Sequence, residues 1–133
     1  MGQGKMSFRG WGRSFGKYGA KEVNKSGRRF DSKLESALHD YLLEQERAGE
    51  IRDIKQQVRV KLTLAEIVYI PDFSAIDVKT EKVCYYESKG FETDVWRIKR
   101  RLWAFYGCGP LFVFKGSYKK LYLHEVIIPK VAV

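Results

Sequence analysis

The hydrophobic period of this chain changes from helical to extended near Ile54 and back to helical near Thr93, and that alternation restricts the class of fold it can adopt. Asp31 and Ser32 precede a helical pattern in which Leu34, Ala37, Leu38, Tyr41, Leu42 and Gln45 fall on one side, and Gly49 supplies the stop. From Ile54, Val58, Val60, Leu62 and Leu64 alternate with polar residues, as in a half-buried strand. A second strand is expected at about Ile67–Ile76 and a third at Val83–Lys89, joined by a turn over Asp77–Lys82. Thr93 or Asp94 caps a second helix with Val95, Ile98, Leu102 and Phe105 at helical spacing, and Gly107 ends it. Two further strands, Leu111–Phe114 and Leu121–Ile128, flank a Gly116–Ser117 turn. The predicted order is α-β-β-β-α-β-β, an α/β arrangement, and 133 residues suffice for one such domain and one core.

Charge divides the chain differently from period. The net charge is +9, of which residues 1–30 carry +7 and residues 31–133 only +2. This N-terminal arm holds Arg9, Arg13, Lys17, Lys21, Arg28 and Arg29 among its cations, glycines that oppose a regular helix, and Phe8, Trp11, Phe15 and Tyr18 between the charges. Cations neutralise phosphates and rings stack on unpaired bases, so a flexible arm of this kind suits nucleic acid. A merely solubilising tail has little reason to carry four large aromatics.

Other classes are disfavoured. No apolar run reaches the length of a membrane span, and the start lacks the apolar stretch of a secretory signal, so a cytoplasmic protein without a membrane partner is expected. Cys84 and Cys108 have neither CxxC spacing nor a histidine cluster, and read as reduced packing residues.

The chemistry-bearing residues lie at strand ends. Asp72 sits in Tyr69-Ile70-Pro71-Asp72-Phe73, and Glu87-Ser88-Lys89-Gly90 closes the apolar strand that begins at Val83. Residues i and i+2 of a strand share a face, so Glu87 and Lys89 project together, and hairpin pairing brings Asp72 beside them. Two carboxylates can hold Mg²⁺, with Mn²⁺ as a substitute, while the Ser88 backbone carbonyl offers a further hard oxygen because its side chain is expected to point to the opposite face. Lys89 would then orient or help deprotonate an attacking water, a layout suited to phosphodiester hydrolysis. The competing reading is a turn at Pro71-Asp72 and a solvated Glu87/Lys89 ion pair worth under ~1 kcal/mol. Their apolar surroundings favour the functional one.

Glu35 has two readings. On a helix with Leu34 at 0°, Leu38 falls at about 40°, Leu42 at about 80° and Glu35 at about 100°, which puts the carboxylate at the edge of the buried stripe. Ser32-x-x-Glu35 is equally a capping box, in which the glutamate bonds the N-cap amide.

Asp72, fourteen intervening residues and then Glu87-Ser88-Lys89, preceded by a helical Glu35, resembles the PD-(D/E)XK nuclease superfamily. Lys17-Tyr18-Gly19-Ala20-Lys21, Gly27-Arg28-Arg29-Phe30-Asp31-Ser32-Lys33-Leu34-Glu35, Tyr69-Ile70-Pro71-Asp72-Phe73 and Glu87-Ser88-Lys89-Gly90 are similar to the phage endonuclease I type of Holliday junction resolvase, from about Lys17 to Lys99. The resemblance implies a restriction-endonuclease-like domain over residues 31–133, with a central mixed sheet flanked by helices. It implies catalytic Glu35, Asp72, Glu87 and Lys89, with Glu35, Asp72, Glu87 and Ser88 around magnesium. It also implies phosphate contact by Arg97 and Lys99, a homodimer, and a role in DNA recombination in the cytoplasm of a phage-infected bacterium.

The expected activity is therefore metal-dependent, structure-selective DNA cleavage at four-way or branched junctions. A nicking or restriction-like enzyme on ordinary duplex shares the same metal site. A non-catalytic nucleic-acid-binding module and a ribonuclease are the readings of other kinds.

Overall fold

A computed structural model describes residues 23–25, 28–30 and 32–130, with side chains from Ser32 onward. The first described elements, β1 (Val23–Lys25) and β2 (Arg28–Phe30), form an antiparallel ribbon in which Val23 pairs with Phe30 and Lys25 with Arg28. The end of the basic segment thus has regular structure where only an arm was expected. The segment before it, with Arg9, Arg13, Lys17 and Lys21, lies outside the described residues.

Helix α1 (Lys33–Arg47) starts where Ser32, in extended conformation, accepts the Glu35 amide at 3.1 Å. It ends in a Schellman motif: Gly49 adopts φ +80°, its N–H reaches the Glu46 carbonyl, and the Glu50 N–H reaches that of Gln45, each at 3.0 Å. The buried side is not quite the expected one. Leu38 and Leu42 are fully buried and Tyr41 is exposed, while Glu35, Ser36 and His39 are buried with the leucines. The inward arc has turned toward the polar side of the helix.

The central sheet has the order β3 (Ile51–Gln56), β6 (Phe73–Asp77), β7 (Lys82–Ser88), β8 (Leu111–Gly116), β9 (Leu121–Ile127), and only β7 and β8 run parallel. It is a mixed sheet, as the resemblance implied. The expected strands from Ile54 and from Ile67 are each broken in two. After β3 the chain leaves the sheet, and β4 (Val60–Lys61) pairs with β5 (Val68–Tyr69) in a separate ribbon. Two local causes act: Gln57 takes φ +60°, which turns the chain out of β3, and Pro71 has no N–H with which to continue β5 into β6. Leu64, expected to be half-buried, lies fully exposed at the ribbon's tip.

Strand alternation loads both faces. Phe73, Ala75, Cys84, Tyr86 and Phe114 pack against Leu38 and Leu42 of α1. Tyr85, Leu111, Val113 and Ile127 pack with Tyr69 against Trp96 and Trp103 of α2 (Asp94–Tyr106). Helix α2 begins with Thr93 accepting the Trp96 amide at 3.0 Å, and Gly107 follows it. Its buried side is a correction to the expected stripe: Ile98 and Phe105 are exposed, and Trp96, Lys99 and Trp103 face the sheet. Both arcs have helical spacing, and burying two indoles removes more apolar surface than burying Ile98 and Phe105 would. No helix among the described residues is long and apolar enough to cross a membrane.

Candidate active site

The sheet brings the acids together at one end of its central hairpin. Phe73 of β6 pairs with Tyr86 of β7, so Asp72, one step earlier, meets Glu87, one step later. The two carboxylates clasp each other's strands. Glu87 Oε1 accepts the Asp72 backbone N–H at 3.2 Å, and Asp72 Oδ2 accepts the Ser88 N–H at 2.9 Å and its hydroxyl at 2.8 Å. The Ser88 side chain therefore turns toward Asp72 and not to the far face, a correction forced by the second acceptor site that a carboxylate oxygen offers. Lys89 extends past the end of β7, held there by its own N–H on the Phe114 carbonyl at 2.9 Å. Its ammonium stands 3.2 Å from Glu87 Oε2 and 4.7 Å from the centre of the Trp96 ring.

Glu35 reaches this end of the sheet from α1. Its Oε2 accepts from the side-chain amides of Gln56 and Gln57, each at 3.4 Å. The Gln57 backbone N–H donates to the Asp72 carbonyl at 3.0 Å, so one residue touches both acids' positions. Ser32 does cap the helix, yet the Glu35 carboxylate itself faces the end of β3. Asp72, Glu87, Ser88 and Lys89 are thus in direct contact, and Glu35 joins them through the glutamines.

Tyr69 closes the wall beneath. Its ring lies 5.9 Å from that of Trp96 and 5.8 Å from that of Trp103, and burial, then the Glu87 charge, push its phenol well above the usual range. Tyr69, Trp96 and Gln57 are not among the site residues that the sequence predicts. Tyr69 was visible as part of the Tyr-Ile-Pro-Asp segment, and the adjacent pair Gln56-Gln57 disturbs the strand alternation ahead of Val58.

Glu35, Asp72 and Glu87 are each about 2% exposed, and the Lys89 side chain 21%. Buried carboxylates are costly to withdraw from water unless they are hydrogen-bonded, paired or bound to a metal, and Asp72 and Glu87 are held by backbone amides. Paired carboxylates are the donor type that a hard, oxygen-preferring dication takes. Among the described residues no three Asp, Glu, His or Cys side chains form a ready-made cation cluster. Mg²⁺, however, takes one or two carboxylates and completes its shell with water and phosphate oxygens, a requirement the Asp72–Glu87 pair satisfies.

A family model described as a protein of unknown function, DUF1064, matches residues 15–127. The chain belongs to that family. No curated protein and no solved structure is similar enough to match. In this DUF1064 member the matched segment spans every element from β1 to β9, the acids included.

The expected phosphate contacts diverge. Arg28 and Arg29 lie in β2. Arg97 is exposed on α2, 3.0 Å from Asp94, and lines an open cleft of about 510 Å³ with Arg100, Arg101, His124, Glu92 and Glu125. Lys99 lies instead on the buried side of α2, 6% exposed, and donates to the Val68 carbonyl. Desolvation lowers its pKa to about 8. A phosphate contact from Lys99 is incompatible with that position, because its spacing from Trp96 and Trp103 puts it on the sheet side of the helix.

Proposed function

We propose that this DUF1064 protein is a Mg²⁺-dependent endodeoxyribonuclease that hydrolyses phosphodiester bonds in branched DNA, four-way junctions above all, as a homodimer. The observation that carries the reading is the convergence at the β6–β7 end of buried Asp72 and Glu87, each oriented by the other's strand, with Lys89 3.2 Å from Glu87. Asp72 and Glu87 would hold the cation, with Glu35 and the Ser88 carbonyl completing the protein's share. The bound cation supplies Lewis-acid polarisation of the scissile phosphate.

The chain's own residues do the rest. Ser88 fixes the Asp72 carboxylate through two hydrogen bonds, and the Asp72 amide fixes that of Glu87. Lys89 is the most accessible of the four, so its ammonium is the group that meets the phosphate, where it orients water and offsets charge developing on the phosphoryl oxygens. The Trp96 face and Glu87 hold it there. The preference for junctions and the dimer rest on the resemblance of the motifs to junction resolvases, and the basic N-terminal segment supports contact with DNA.

The test is cleavage by the purified protein, with Mg²⁺ and with chelator, on a four-way junction, a flap, a duplex and a single strand of matched sequence. Metal-dependent cutting with the junction preferred is expected. Absence of cleavage of all four with either Mg²⁺ or Mn²⁺ overturns the reading.

A further inference from the structure

We infer that Gln57 is a positioning residue that locks Glu35 to Asp72, and that its side-chain amide sets how tightly the site takes a divalent cation. The inference rests on the metal site proposed above and adds to it a residue outside the acid-and-lysine set. Gln57 holds φ +60°, a conformation that side chains other than glycine, asparagine and aspartate rarely adopt. In that conformation its two hydrogen-bonding ends separate. The main-chain N–H turns to the Asp72 carbonyl at 3.0 Å, and the amide reaches Glu35 Oε2 at 3.4 Å.

Geometry explains why a link is needed here. Glu35 rides on α1, Asp72 precedes β6, and Glu87 ends β7; the two strands are paired by the sheet, but the helix is not. A helix can shift against a sheet by small translations that leave its packing intact. A ligand 1 Å out of place costs a metal site much of its affinity, so the helical carboxylate needs a tether to the strand that carries Asp72. Gln56 gives Glu35 a second amide on the same oxygen, but its backbone is engaged in the β3–β6 ladder opposite Phe73. Gln57 joins both acids in one residue, from a turn that also starts the departure toward β4.

The experiment compares the parent chain with Gln57→Gly and Gln57→Asn. Glycine accepts φ +60° and keeps the N–H for Asp72 while deleting the amide; asparagine also tolerates the turn but is one methylene too short to reach Glu35. Mn²⁺ affinity is read by titration calorimetry without DNA, the melting temperature without metal, and kcat and KM on a junction. Expected for both variants is a melting temperature at or near the parent's, Mn²⁺ affinity weakened tenfold to a hundredfold, in the range seen for residues that orient metal ligands, and kcat lowered with KM for DNA little changed. If Gln57→Gly unfolds, Gln57→Asn carries the same comparison. Mn²⁺ affinity and kcat within twofold of the parent in either folded variant overturn the inference and leave the proposed function standing. A parent that binds no Mn²⁺ overturns both.

Discussion

Asp72 and Glu87 hold one another through each other's strands: Glu87 Oε1 takes the Asp72 amide at 3.2 Å, and Asp72 Oδ2 takes the amide of Ser88, the residue after Glu87, at 2.9 Å. Each carboxylate is thereby oriented before any ligand arrives. Changing either should disturb chemistry more than folding, because an asparagine or glutamine oxygen can still accept the same amide.

Asp72→Asn is accordingly expected to lose more than 99% of cleavage while DNA binding is kept or tightened, since an anion beside the phosphate is removed. Glu87→Gln and Lys89→Ala should be comparably inactive. Metal activation contributes several kcal/mol to barrier lowering, and each ~1.4 kcal/mol is tenfold in rate. Residual turnover above about 1% in Asp72→Asn contradicts the assignment.

Glu35 and Ser32 separate by opposite signatures. Ser32→Ala should cost roughly 1 kcal/mol of stability, from the lost bond to the Glu35 amide, with activity retained. Glu35→Gln should change stability by at most ~1 kcal/mol and lower activity at least a hundredfold. An active Glu35→Gln enzyme removes the ligand role and leaves a helix cap.

Lys99 predicts a pH signature. Its folded-state pKa is lowered to about 8 by desolvation, below the ordinary lysine value, so between about pH 8 and 10.5 the unfolded chain binds the extra proton and stability rises with pH. Below pH 8 the charged form carries the full penalty, on the order of 3 kcal/mol, partly offset by the bond to Val68. Lys99→Met should therefore be at least as stable as the parent at pH 7, and denaturant titrations should show its advantage shrinking toward pH 10. A gap independent of pH excludes this origin.

The same residue bears on DNA. Arg97→Ala should lower the slope of log K against log[salt] by up to ~0.9 on duplex, and Lys99→Met should leave it unchanged. Deleting residues 1–16 stops short of the β1–β2 ribbon and removes Lys5, Arg9 and Arg13, so binding should weaken with a flatter salt slope and an intact fold. Identical slopes for the truncated and full chains, measured on a junction and a duplex, mark that segment as passive.

Local rules made much of this structure legible in advance. Ser32 and Gly49 bound α1, the Asp77–Lys82 turn joins β6 to β7, and Glu87 and Lys89 share a face, because caps, turns and strand alternation act within a few residues. What needed the structure was competition between faces and between strands. Helix α2 has two apolar arcs, and only packing on Tyr85 and Leu111 selects Trp96 and Trp103 over Ile98 and Phe105. The apolar run Ile67–Ile76 hid a break that Pro71 signals, and the site's glutamines looked like the solvent side of a strand.

Strand β8 lies parallel to β7, so after Gly90 the chain must traverse α2 before Leu111 can pair with Tyr85. Contacts so distant in sequence form slowly, whereas the Asp72–Glu87 hairpin is local and forms early. During synthesis both acids would therefore leave the ribosome well before Trp96 packs beneath Lys89 and before β8 and β9 fix the far half of the sheet. Docking of β8, whose Phe114 carbonyl takes the Lys89 amide, and not translation of the motif, sets the moment at which a nascent chain acquires the formed β6–β7 end.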